Sequence, residues 1–267
     1  MRDSDLVVLV DGEESAAVPA TDSSVLRGDG CFEALRSYDG RLFRPEQHLD
    51  RLGRSAAALD LEMPSRERLM AWMERVAAKG GDCIVRVVLS RGSAVPGVEG
   101  EGICIVMAHR RPARQQSVAL WPVAAPWHPA GRDWELAGAK TISYAPNLAA
   151  GRRAVKRGAD DALLLSDGHV VLEGPTFSVG WCRGGTVFTP ALRLGILDSI
   201  TRRAVLEIWP GIDEVEETLD GMLAADEVFA MSTMKEVVPV RSVGDTIFPE
   251  GPITRSLAQR FAELVAQ

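Results

Sequence analysis

The chain has 267 residues, 46% of them hydrophobic and 25% charged, with a formal net charge of −7; that length and make-up suit two ordinary globular domains. The acidic balance, with no block of Lys or Arg, argues against a nucleic-acid footprint, and no apolar run approaches the roughly 20 residues of a membrane span. The four cysteines, Cys31, Cys83, Cys104 and Cys182, lack CxxC spacing, and the four histidines are dispersed, so neither a disulfide framework nor a metal site is expected.

The opening "MRDSDLVVLVDGEES" has no secretory signal, and a cytoplasmic protein is expected. Runs rich in β-branched residues predict strands over 5–10, 83–89 and 102–107. Between the first two, apolar spacing predicts helices. One covers 46–59, with Leu49, Leu52, Ala56 and Leu59 on one face; the other covers 66–78, with Ser65 as N-cap and Gly80–Gly81 as its stop. The polar stretch from Pro112 to Gln116 reads as a linker. The division is therefore an N-terminal α/β domain over 1–112, a linker and first strand over 113–122, and a larger C-terminal domain over 123–267.

In the second part, a strand at 117–122 leads into a long loop, 123–138, of the kind that is often functional. A helix at 147–157 follows, then strands near 161–166, 169–172, 177–182 and 186–188. Beyond the loop 189–198 come a helix at 199–208, a strand at 213–217 and a short helix at 218–225. Strands at 227–232 and 236–240 and a helix at 253–266 complete the chain. The mixture predicts two α+β domains.

Only four lysines are present: Lys79, Lys140, Lys156 and Lys235. Lys79 and Lys156 sit near predicted helix ends, where a cation complements the helix dipole. Lys235 falls in a strand-to-strand connection. Lys140 follows a small-residue stretch at a loop junction, four residues before Tyr144. An amine that captures a carbonyl needs a hydrogen-bonding neighbour of that kind. The plain alternative is a surface lysine. In "GILDSITRR", Asp198 or Ser199 can cap a helix whose first amides, at Ile200 and Thr201, form a ready anion site. An ordinary capped helix gives the same pattern. Glu173 ends the apolar run "VVLE", where a carboxylate is costly unless it pairs with a cation or a protonated ring nitrogen.

Six segments, in order, resemble the class IV, fold-type IV, pyridoxal 5'-phosphate (PLP)-dependent aminotransferases: "RGDGCFEALRSYDGR" (27–41), "EQHLDRL" (46–52), "AKTISYAPNLAA" (139–150), "GADDALLLSDGHVVLEGPT" (158–176), "FTPALRLGILDSITR" (188–202) and "ADEVFAMSTMKEVVPV" (225–240). That family includes branched-chain and D-amino-acid aminotransferases and 4-amino-4-deoxychorismate lyase. The resemblance implies a smaller N-terminal α/β domain, a larger β-barrel-like mixed domain and a homodimer. It implies that Lys140 holds PLP as a Schiff base, that Glu173 pairs with the ring nitrogen, and that Tyr144 lies near the ring oxygen or the lysine. Arg51 of "HxxRL" matches the phosphate arginine, offering a bidentate fork. Ile200 and Thr201 match the phosphate cradle, Thr233 a second hydroxyl, and Leu197 the apolar residue against the ring.

Some positions depart from the family pattern. Ser199 replaces the usual Gly of "GIT", Arg27 the usual aromatic, and Ser178 the Asn after the ring acid. The stretch Arg91–Gly97 lacks the Arg-x-His carboxylate trap of bacterial D-amino-acid enzymes. For a substrate carboxylate, Arg86 in the middle of "IVRVVL" is the first candidate, because a mid-strand arginine is expensive unless paired. Arg27 and Arg36 come next, and Phe32 joins them on the substrate side. The expected reaction is transfer of an amino group from an amino acid or amine to a 2-oxo acid. Aminodeoxychorismate lyase is the alternative, and a non-catalytic PLP-fold binding protein the third reading. Glu33 resembles the aminotransferases more than the lyases.

Overall fold

A computed structural model describes residues 6–267; Asp5 of the expected first strand lies outside them. The chain forms two compact units, one of residues 1–113 with 139–144, the other of 114–138 with 145–267. The segment carrying Lys140 thus packs with the first unit, although it follows the linker in sequence.

The first unit runs β1 (Leu6–Val10), β2 (Glu13–Glu14), α1 (Ser23–Leu26), β3 (Gly30–Tyr38), β4 (Arg41–Leu42), α2 (Pro45–Ala58), α3 (Arg66–Gly80), β5 (Cys83–Ser90) and β6 (Cys104–Arg110). Its antiparallel sheet has the order β2-β1-β6-β5-β3-β4. Ser65 caps α3, accepting from the Arg68 amide at 3.3 Å, and Gly81 closes it, both as the sequence predicts. The sheet buries one face against α2 and α3, with Cys31, Leu35, Val85, Val87 and Val106 meeting Leu49, Leu52, Leu69 and Met73. Strand β3, between β5 and the short edge strand β4, was not foreseen. Its two faces carry Glu33 and Arg36, both buried, and charge on each side hides the alternation that marks a strand.

The second unit contains β7 (Val118–Ala124), α4 (Ala145–Val155), β8 (Asp161–Leu165), β9 (Ser178–Arg183), β10 (Thr186–Pro190), α5 (Ile200–Ile208), β11 (Ile212–Val215), α6 (Leu219–Leu223), β12 (Glu227–Ser232), β13 (Glu236–Val243), β14 (Thr246–Ile247) and α7 (Pro252–Ala266). The sheet order is β11-β10-β9-β12-β13-β7-β8, with β14 on β13. The β10–β11, β13–β7 and β7–β8 pairs are parallel and the others antiparallel. Trp181, Val179, Phe177, Val228 and Val240 fill one core; Val123, Ala150, Ala154, Leu164 and Ile196 fill another, beneath α4. The strand expected at 169–172 is reduced to isolated bridges, Leu165 to Val171 and Val170 to Thr218. No described helix is long and apolar enough to cross a membrane.

Candidate active site

Lys140 is held by its main chain from two sides. Its amide donates to Ser55 Oγ on α2 at 3.0 Å, and its carbonyl accepts from the Phe32 amide on β3 at 2.9 Å. Two residues on, the Ile142 amide donates to the Gly30 carbonyl at 2.9 Å. The segment can lie this close because position 30 is glycine: a Cβ there would meet the Leu89 carbonyl oxygen at 2.3 Å and Ile142 Cδ1 at 2.9 Å. The second Gly of "GDG" therefore serves contact between strand and lysine segment.

The Lys140 side chain is half-buried. Its Nζ lies 3.5 Å from the Tyr144 hydroxyl and 4.3 Å from the centre of the Phe32 ring. Phe32 and Tyr144 meet edge to face at 5.3 Å. Arg86 reaches the same aromatic, its guanidinium carbon 5.1 Å from the Phe32 ring centre. Strand register explains the grouping: Phe32 stands opposite Val88 and Ala34 opposite Arg86, so Phe32 and Arg86 share the sheet face away from the helices. Arg86 forms no ion pair among the described residues, and burial pushes its guanidinium below the ordinary value. The third candidate, Arg36, is differently placed. It donates from Nε and Nη2 to Asp82 Oδ1 at 3.0 and 2.5 Å and lies over the Tyr38 ring. Arg27 is exposed at the end of α1.

Glu33 points the opposite way, toward α2. Arg51 donates from Nε and Nη2 to its two oxygens at 2.6 and 2.8 Å, and His48 Nδ1 lies 2.7 Å from Oε2. All three are buried. Burial alone would raise the Glu33 carboxyl, but the charges and hydrogen bonds of Arg51 and His48 outweigh it and hold Glu33 well below the usual carboxylate range. Burial pushes His48 below its ordinary value despite Glu33, so His48 is neutral and donates from Nδ1. Two expectations change here. The Arg51 fork foreseen for phosphate is engaged by Glu33. Glu33 lies on the helix side of the sheet, so it does not separate transaminase from lyase by touching a substrate. The missed signal is on α2, where His48, Arg51 and Ser55 form a buried polar stripe at helical spacing.

In the second unit, Glu173 is tied to β8: its carbonyl accepts from the Leu164 amide at 2.8 Å. Both carboxylate oxygens lie 3.3 Å from the Leu197 amide, and His128 Nε2 is 3.6 Å from Oε1. Three residues beyond Leu197, α5 begins. Of the two cap candidates it is Ser199 that serves, accepting from the Arg202 amide at 3.3 Å. The Ile200 and Thr201 amides fall in the first turn, where no intrahelical acceptor exists. Buried Arg202 bonds to Glu214 and to the Pro190 carbonyl, and this fixes α5 against β10 and β11. Helix α5 packs on β12, and Thr233 lies in the turn after that strand. Lys235, in the same turn, reaches Gln115 and the Phe177 ring.

With this geometry in view, comparison with known proteins is decisive: the family model for amino-transferase class IV matches residues 30–243. The chain belongs to the class IV aminotransferases. This class IV aminotransferase is 30% identical to a D-alanine aminotransferase of Listeria monocytogenes, the match covering 95% of the chain and 93% of the relative. It is 31% identical to a bifunctional aminodeoxychorismate lyase / D-amino acid transaminase of Mycobacterium tuberculosis, over 97% of both. Among solved structures it is similar to a hypothetical aminotransferase of M. tuberculosis in its PLP-bound form: TM-score 0.87, 28% identity, 96% of this chain and 97% of the other.

Proposed function

We propose that this class IV enzyme moves an amino group between an amino acid or amine and a 2-oxo acid with PLP as cofactor, using Lys140 as its reactive amine. The observation that carries the reading is the setting of Lys140, main chain pinned on both sides and Nζ 3.5 Å from the Tyr144 hydroxyl. The donor set fits the cofactor's chemistry. It offers an amine for the aldehyde, a carboxylate at Glu173 for the ring nitrogen, and first-turn amides with the Thr201 and Thr233 hydroxyls for the phosphate. Leu197 adds an apolar side chain for the ring.

When bound, PLP supplies an electron sink that makes the proton on the substrate Cα acidic. Lys140 Nζ would take that proton and hold it for return across the imine nitrogen. The Tyr144 hydroxyl and the Phe32 ring keep the amine in place while it is free. Arg86 binds the substrate carboxylate; a half-buried guanidinium without an ion pair among the described residues is poised for an anion. Glu173 would accept a hydrogen bond from the ring nitrogen and so keep it protonated.

The test is reconstitution with PLP. A visible absorbance band that borohydride abolishes, leaving the reduced cofactor on the Lys140 peptide, is the expected result. Colourless protein, or the label on another lysine, overturns it. The bifunctional M. tuberculosis relative supports a second reading, release of pyruvate from aminodeoxychorismate. Parallel assays of pyruvate release and of amino transfer from glutamate, D-alanine or (R)-phenylethylamine separate the two. The homodimer that the resemblance implies is read by sedimentation of the holoenzyme.

A further inference from the structure

The loop after β7 brings to Glu173 a residue that no family motif named. His128 is 8% exposed. Its Nδ1 accepts a hydrogen bond from the Ala130 amide at 3.1 Å. A ring nitrogen that accepts carries no proton, so a neutral imidazole must carry its proton on Nε2. That nitrogen is the one facing Glu173, 3.6 Å from Oε1. The loop itself is fixed: the His128 amide donates to the Ala125 carbonyl at 2.9 Å, and Arg132 Nη2 donates to the His128 carbonyl at 3.1 Å.

The Leu197 amide is equidistant from the two Glu173 oxygens, 3.3 Å from each. Such a shared donor sets the plane of the carboxylate but does not distinguish its oxygens. His128 approaches Oε1 alone and breaks that symmetry, leaving Oε2 for an incoming N–H. At 3.6 Å the contact is longer than a hydrogen bond, and polar contacts of this kind tighten when a site fills.

We propose that His128 is a positioning residue for Glu173: a neutral, Nε2-protonated imidazole that turns the carboxylate toward the cofactor's ring nitrogen. The inference rests on the reading of Glu173 as partner of that nitrogen. Holoenzyme reconstituted with PLP labelled with 15N in the ring tests it by the nitrogen's NMR shift. The wild type should show a protonated nitrogen, and His128→Ala should move the shift toward the unprotonated value and weaken PLP binding. His128→Gln, whose amide N–H can reach the carboxylate, should restore both. An unchanged protonated signal in His128→Ala overturns the role of His128 alone. An unprotonated nitrogen in the wild type overturns the Glu173 reading and this one with it. The cofactor-free wild type gives a check that needs no variant to fold: 15N–1H correlation should show His128 protonated on Nε2 at neutral pH, and a proton on Nδ1 overturns the proposal.

Discussion

Lys140 owes its position to Ser55 Oγ and the Phe32 amide, bonded to its main chain at 3.0 and 2.9 Å. Replacing Ser55 with Ala removes one neutral hydrogen bond, a loss of about 1 kcal/mol. It also frees the backbone that aims the amine, and small misplacements of a reacting group are disproportionately expensive. Ser55→Ala should therefore lower kcat about tenfold or more with little change in KM, and Ser55→Thr should recover most of it; steady-state kinetics read both. Arg86 predicts the opposite balance. Its guanidinium is half-buried, forms no ion pair among the described residues and is pushed below its ordinary value by burial. Arg86→Leu should raise the melting temperature slightly, since an uncompensated charge leaves an apolar face. The same change should raise KM for an amino acid about a hundredfold, on the scale of a lost charge-assisted pair. A drop in stability together with an unchanged KM would show a structural role only. The pairing of Lys140 with Tyr144 was legible because a lysine at a loop junction stood four residues from a tyrosine, and the two side chains meet at 3.5 Å. Ser55 was not: a serine on a helix announces nothing until its partner, 85 positions away, is known.

At the scale of elements, β3 and α2 are joined by a charge cluster that secondary-structure patterns conceal. Glu33 and Arg36 obscured the strand, and His48, Arg51 and Ser55 blurred the apolar stripe of α2, although its ends were read to within about a residue. The same residues make the first unit sensitive to acid. His48 is held below its ordinary 6.5, so below about that pH the unfolded chain binds a proton that the folded chain does not. Stability then falls as pH drops, by up to about 1.4 kcal/mol per pH unit. Glu33 is held below its ordinary 4.5. Its contribution is complete above that value and is lost as pH falls toward the folded one. Melting temperature should decline between pH 7.5 and 5.5, then more steeply below about 4.5. His48→Gln should flatten the first stage and leave the second. Glu33→Gln should destabilise at all pH values, by about 3–5 kcal/mol, because it removes the buried carboxylate that balances the Arg51 charge. Thermal melts across pH decide between this account and one based on surface carboxylates, for which His48→Gln would change nothing.

For the whole molecule, the order of most helices and strands was legible, β3 and the stretch 169–172 apart, as was the α+β class, because most elements keep their apolar period. The membership of 139–144 in the first unit was not, since a loop's partner across the chain leaves no periodic trace. Cysteine placement now gives each unit its own reporter. Cys31, Cys83 and Cys104 lie in the core of the first unit, Cys182 in the second, and all four are buried and free. Burial pushes the Cys31 and Cys104 thiols up to about 12 and raises Cys83 and Cys182 as well. Thiolate is the reactive form, so both access and ionisation protect these residues. A thiol reagent at pH 8 should label none of the four in the native protein within minutes and all four in denaturant. Reductant should leave the melting temperature unchanged. At intermediate denaturant, mass spectrometry of labelled peptides then reads the opening of each unit, Cys31, Cys83 and Cys104 rising together and Cys182 reporting separately. Fast native labelling of Cys31 or Cys104 would contradict the packed β3–β5–β6 core on which the placement of Lys140 depends.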